Sequence, residues 1–173
     1  MPIHFMKKTI IRALLIILLI ADMAFIFSNS AQSSATSSTT SQGVTEIVAP
    51  VVVPNYDTLD EAGKKQAVAN LDGIVREAAH LLQFVPLGFS LYLLLSTFES
   101  KERLRRYRIP ITFGFGLMYA VSDEIHQLLS PGRSFQLFDI FMDACGVTVG
   151  CIGGIILLLI ITTVNKKRNK KSE

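Results

Sequence analysis

Four blocks of apolar residues, 10–27, 78–98, 111–129 and 139–164, set the terms for this chain, because each approaches the roughly 20 residues a helix needs to cross a bilayer core. Little charge enters the blocks and much gathers between them, whereas a soluble helical domain would carry polar and apolar stripes side by side. Half of the 173 residues are apolar. The pattern predicts an all-α integral membrane protein with four transmembrane helices.

The net charge of +3 could point to nucleic acid, but the basic residues flank the ends of apolar blocks, where they act as topology signals, so no nucleic-acid partner is expected. Thirteen of the 17 Lys and Arg lie before or in the first turn of the first block, between the second and third, or after the fourth. Both termini are therefore expected in the cytoplasm, with 165–173 a basic cytoplasmic tail. A cleavable signal peptide is the competing reading of the first block, since Ser28-Asn29-Ser30-Ala31 supplies small residues; the block's length and Asp22 favour a retained anchor.

Between the first two blocks, residues 28–56 are rich in Ser and Thr and carry Pro, without packing periodicity, and are read as a flexible outer loop. An amphipathic helix is expected next, lying along the membrane surface, with Thr58 and Glu61 spaced as a capping box. Pro110 suits the first turn of the third span, and Ser130-Pro131-Gly132 has turn chemistry. Cys145 and Cys151, about 9 Å apart in rise on one helix, cannot bridge within it and read as packing residues.

The polar residues inside these blocks share a level. Asp22 and Asp123 each lie twelve residues into a span, about 18 Å from its inner boundary. Gln83 and Asp143 lie about one turn below the outer boundary, with His80 and Asp139 near the interface and Arg133 in the connecting turn. Asp123, His126 and Gln127 share a helical face, as do His80 and Gln83, and Arg76 sits one turn above His80. Adjacent carboxylates at membrane depth, Asp123 and Glu124, are costly unless they face a polar interior. An outward-facing, hydrated pocket is expected, with Arg76, Arg133 and His80 able to meet anionic groups. Each member also has a plainer role: Asp139 as a helix N-cap, Arg76 and Arg133 as interface residues, His126 as a helix-to-helix hydrogen bond. Gly146, Gly150 and Gly154 form a close-packing stripe that turns Asp139 and Asp143 toward the other helices.

These residues resemble the VanZ-like family of membrane proteins, named for a teicoplanin-resistance protein of Gram-positive bacteria. The resemblance rests on Phe27-Ser28 with Gln32, Arg76-Glu-Ala-Ala-His80 with Leu87-Gly88, Ser122-Asp-Glu-Ile-His-Gln127 with Pro131-Gly-Arg133, and Asp139 and Asp143 with Gly146 and Gly150. It leaves out 36–71 and the basic tail. Where the family typically reads Arg-Lys-x-Ala-His-Phe-x-Glu-Tyr, this chain has Glu77, Leu81, Gln83 and Phe84, so an amide replaces a carboxylate. The resemblance implies a multi-pass plasma-membrane protein of a Gram-positive cell envelope, linked to lower susceptibility to teicoplanin-type glycopeptides.

Three functional classes follow. In the first, the pocket engages or alters an outer-leaflet ligand, a lipoglycopeptide or a lipid-linked wall precursor. In the second, an intramembrane hydrolase or transferase uses His80, Asp123, Glu124, His126 and Asp139 as acid, base or ligands of a divalent metal; no HExxH helix, serine-nucleophile motif or phosphate-cradling glycine loop accompanies them. In the third, proton-coupled transport, four spans without an internal repeat would require a homo-oligomer.

Overall fold

The computed structural model describes residues 3–98 and 102–170; Lys101 of the basic loop and residues 171–173 of the tail lie outside it. The chain is all-helical: α1 (Ile3–Ser30), α2 (Ser34–Val52), a single 3-10 turn (Tyr56–Thr58), α3 (Glu61–Ser96), α4 (Glu102–Gln127) and α5 (Leu137–Asn169).

Three of these helices, α1 from Lys8, α3 and α5, are long and apolar enough to cross a membrane. The third apolar block falls in α4, which is not among them, because it begins in a basic cluster and ends in Asp123, Glu124 and His126. Its surface is nevertheless apolar. Arg108, Thr112, Asp123, Glu124 and Gln127 are buried, whereas Phe113, Leu117, Met118, Val121 and Ile125 are exposed. That is the reverse of a helix packed in water, and it is how a helix behaves when its polar groups are turned toward neighbouring helices and its apolar ones outward.

Four local expectations give way to the structure. Residues 34–52 are helical: Ser33 caps α2 by accepting from the Thr36 amide, and Thr39, Thr40, Ser41 and Thr45 return their hydroxyls to carbonyls three or four residues back. Hydroxyls that satisfy themselves within the helix cost little to bury, so a Ser/Thr-rich segment packs against α3 here. The separate surface helix does not exist either. Its residues are the first half of α3, which continues unbroken into the second apolar block, and the N-cap is Asp60, bonded to Gly63 N at 2.8 Å, instead of Thr58. Pro110 lies inside α4 and not in its first turn. Finally, Gln136 is the N-cap of α5, and Asp139 sits within the first turn.

α3 packs most extensively on α5. Glycines make this possible: a Cβ on Gly146 would collide with the Leu81 carbonyl, one on Gly150 with the Val85 carbonyl, and one on Gly88 with the Val147 carbonyl. Backbone therefore meets backbone along the seam, the contact small residues allow between membrane helices. A core of Ile26, Phe84, Leu87, Ala120 and Val147 joins α1, α3, α4 and α5. Tyr119 Oη donates to Met23 O at 2.7 Å, tying α4 to α1. At the far end, Arg12 bonds Thr97 through Nε (3.0 Å) and Nη2 (2.7 Å) while lying 4.2 Å above the Phe98 ring. Cys145 and Cys151 are free thiols.

Candidate ligand-binding cavity

The end of α1, all but the last turn of α2, and the middle of α3 do not close on one another. They enclose a cavity of about 540 Å³ whose floor comes from α4 and the turn after it. Six of the sequence-derived candidates line it: Arg76, His80, Gln83, Asp123, Gln127 and Arg133. Apolar lining comes from Phe25 and Ile26 of α1, Val44 and Val48 of α2, and Val75, Leu82 and Phe84 of α3.

A chain of hydrogen bonds builds the polar floor. Ser30 Oγ donates to Asp123 Oδ1, and Gln127 Nε2 donates to Asp123 Oδ2 at 3.0 Å, so both oxygens of this buried carboxylate are satisfied. Arg133 in turn donates from Nη1 to Gln127 Oε1 (3.2 Å) and from Nε to Gln32 O (3.4 Å). The turn carrying Arg133 closes through Arg133 N to Ser130 O at 3.2 Å, with Gly132 at φ +75, a value a glycine adopts without strain. Pro131 O then accepts from Ser34 N at 3.0 Å, fastening the turn to the start of α2, and Ser130 Oγ donates to Ser30 O at 3.0 Å. Gln83 uses both ends of its amide, accepting from Asn29 Nδ2 at 2.8 Å and donating to Ala79 O at 3.2 Å. A glutamate could make the first bond but not the second.

The other four candidates lie behind the cavity or beside it. Asp139 and Asp143, both buried, stand at the back of His80: Nε2 is 3.7 Å from Asp139 Oδ2 and Nδ1 is 3.5 Å from Asp143 Oδ1. Neither oxygen of Asp143 has a hydrogen-bond partner among the described residues, so the pair holds by proximity and not by bonding geometry. Glu124 Oε1 accepts from Gln136 N at 2.7 Å, which ties α4 to the start of α5. His126 stacks on Phe27, ring centroids 4.0 Å apart. The five residues considered for a divalent metal are thus divided among different surroundings, and among the described residues no three His, Cys, Asp or Glu side chains form a ligand set. Asp22 does not line the cavity.

Sequence reasoning missed Asn29, Ser30, Gln32, Ser37, Thr40 and Ser41 as cavity residues. The signal for Asn29 and Ser30 was polarity arriving within the last turn of an apolar helix, and for Gln32 its continuation just past that helix's end. For the others it was the small-residue spacing of Ser41, Thr45 and Ala49, one buried face of α2.

Long apolar helices, polar residues turned inward on α4 and a mostly apolar cavity define a multi-pass helical membrane protein. A family model described as VanZ/LLP1 matches residues 15–161, and the chain belongs to that family. No curated protein and no solved structure matches it.

Proposed function

We propose that the cavity faces the outside of the cell and holds an acylated amphiphile of the outer leaflet, and that the protein thereby lowers susceptibility to teicoplanin-type glycopeptides in a Gram-positive envelope. The observation that carries this reading is the cavity's double character: one wall is apolar enough for a chain, and the floor is a continuous polar network able to hold a head group. The topology belongs to the same proposal. α4 is taken as a further span, third in chain order, on the strength of its apolar exposed face, and both termini are cytoplasmic by the distribution of Lys and Arg.

A strain lacking the protein should become more sensitive to teicoplanin, and wild type should restore tolerance. Ala79→Phe, which fills the cavity, and Asp123→Ala, which breaks its floor, should not restore it. Full tolerance from both variants at normal protein level would remove the cavity from the function. A single cysteine introduced at Thr36 in a chain lacking Cys145 and Cys151 should react in whole cells with a membrane-impermeant thiol reagent, and one at Asn169 should not.

A second reading, acid–base chemistry on a lipid-linked envelope substrate, is favoured by one observation: His80 lines the cavity with a carboxylate near each ring nitrogen. Turnover of such a substrate by purified protein, lost in His80→Gln, is its test.

A further inference from the structure

The cavity's charges are not balanced in the way its polar groups are. Its one lining carboxylate, Asp123, has both oxygens hydrogen-bonded by neutral groups. The hydrogen bonds of Arg133 go to a neutral amide oxygen and a backbone carbonyl, and no carboxylate among the described residues lies within 4.0 Å of its guanidinium. Arg76, on α3, meets Glu77 at 4.0 Å, the outer limit of an ion pair, and keeps 40% of its side chain exposed. Two cations thus enter one partly apolar space from different elements, and neither is closely neutralised. Planar guanidinium groups with donors to spare match the oxygens of a phosphate group better than any other side chain. From Val75 to Phe84 the lining of α3 extends about 14 Å, room for a head group at Arg76 and the first part of a chain beside Leu82 and Phe84.

We propose that the cavity selects a lipid with a phosphate-type anionic head group, held between Arg76 and Arg133, with its chain along Phe25, Ile26, Leu82 and Phe84. The inference rests on the reading that the cavity holds an amphiphile and adds the chemistry of its head. Two sources share that chemistry, an anionic phospholipid and a polyprenyl diphosphate.

The test uses the full chain purified in a detergent with an uncharged head, with fluorescent short-chain phosphatidylglycerol as probe and a neutral diacylglycerol glycolipid of the same chains as control. Phosphatidylglycerol should bind at least about tenfold more tightly than the glycolipid, and Arg76→Gln and Arg133→Gln should each weaken it about tenfold, the loss of one charge-assisted contact. Arg133→Lys should retain part of the binding. Because Arg133 also braces the turn, Arg76→Gln decides the matter if Arg133→Gln does not fold. Displacement of the probe at lower concentration by polyprenyl diphosphate than by phosphatidylglycerol assigns the site to the diphosphate, and the reverse order assigns it to phospholipid. Equal affinity for charged and neutral lipids, or unchanged binding in both glutamine variants, overturns the inference. In that case a loss of teicoplanin tolerance in Ala79→Phe leaves the broader reading standing; retained tolerance beside selective phosphatidylglycerol binding removes that reading alone.

Discussion

α3 is used in two opposite ways along its length. Toward α5 it meets glycines and comes so close that backbone touches backbone; toward α2 and the end of α1 it meets hydroxyls, amides and valines and leaves a cavity of about 540 Å³. The contrast extends to the carboxylates. Asp123, on the open side, has every oxygen bonded, while Asp143, on the closed side, is fully buried beside His80 with no hydrogen-bond partner among the described residues. The difference teaches that stability and binding have been assigned to separate faces of one helix, and that a polar group is well satisfied here where there is room for partners and poorly where there is not.

The strongest challenge to this contrast is Gly150→Leu. The added side chain would meet the Val85 carbonyl and the Phe89 amide, and recovery of folded protein in size-exclusion chromatography should be lost; even Gly150→Ala should cost about 3 kcal/mol in unfolding measurements. A seam that tolerates leucine would mean that α3 and α5 are not in backbone contact. Next comes His80→Ala, which leaves Asp139 and Asp143 buried without the imidazole between them and should cost about 3 kcal/mol, read from thermal unfolding in detergent. Asp123→Ala should cost less, about 1 to 3 kcal/mol, because Ser30 and Gln127 lose a partner beside a cavity that water can enter. Gly43→Ala should do the reverse of Gly150→Ala. Nothing lies within 4 Å of the added methyl, so the variant should gain about 0.5 to 1 kcal/mol of helix stability. Destabilisation there would mean that α2 packs more tightly than the contrast allows.

Part of the cavity's polar lining was legible before the structure. Helical rise placed Asp123 in the outer third of its span and Gln83 and His80 nearer the same boundary, and the spacing of Gly146, Gly150 and Gly154 turned α5 toward its neighbours. The opposite wall was not legible. Ser and Thr lower helix propensity because their hydroxyls compete for backbone groups, and 34–52 became a helix only because those hydroxyls bond within it and α3 offers a surface. α4 was ambiguous for a related reason. Its identity depends on which residues face inward, and mean hydropathy averages over all faces. The split of the supposed metal ligands was invisible as well, since one helix turn separates His126, stacked on Phe27, from Asp123 in the floor.

The 36 residues of α3 make a single rod of about 54 Å. It is gripped in its second half, from Leu81 to Gly88, by the glycine seam, carries Arg76 on one side of that grip, and ends on the other side at the Thr97 carbonyl and hydroxyl held by Arg12. A rod clamped away from both ends behaves as a lever. A tilt that widened the cavity for an occupant would move the Thr97 end the opposite way and strain the Arg12 contact, so the two ends of α3 are coupled through one rigid element.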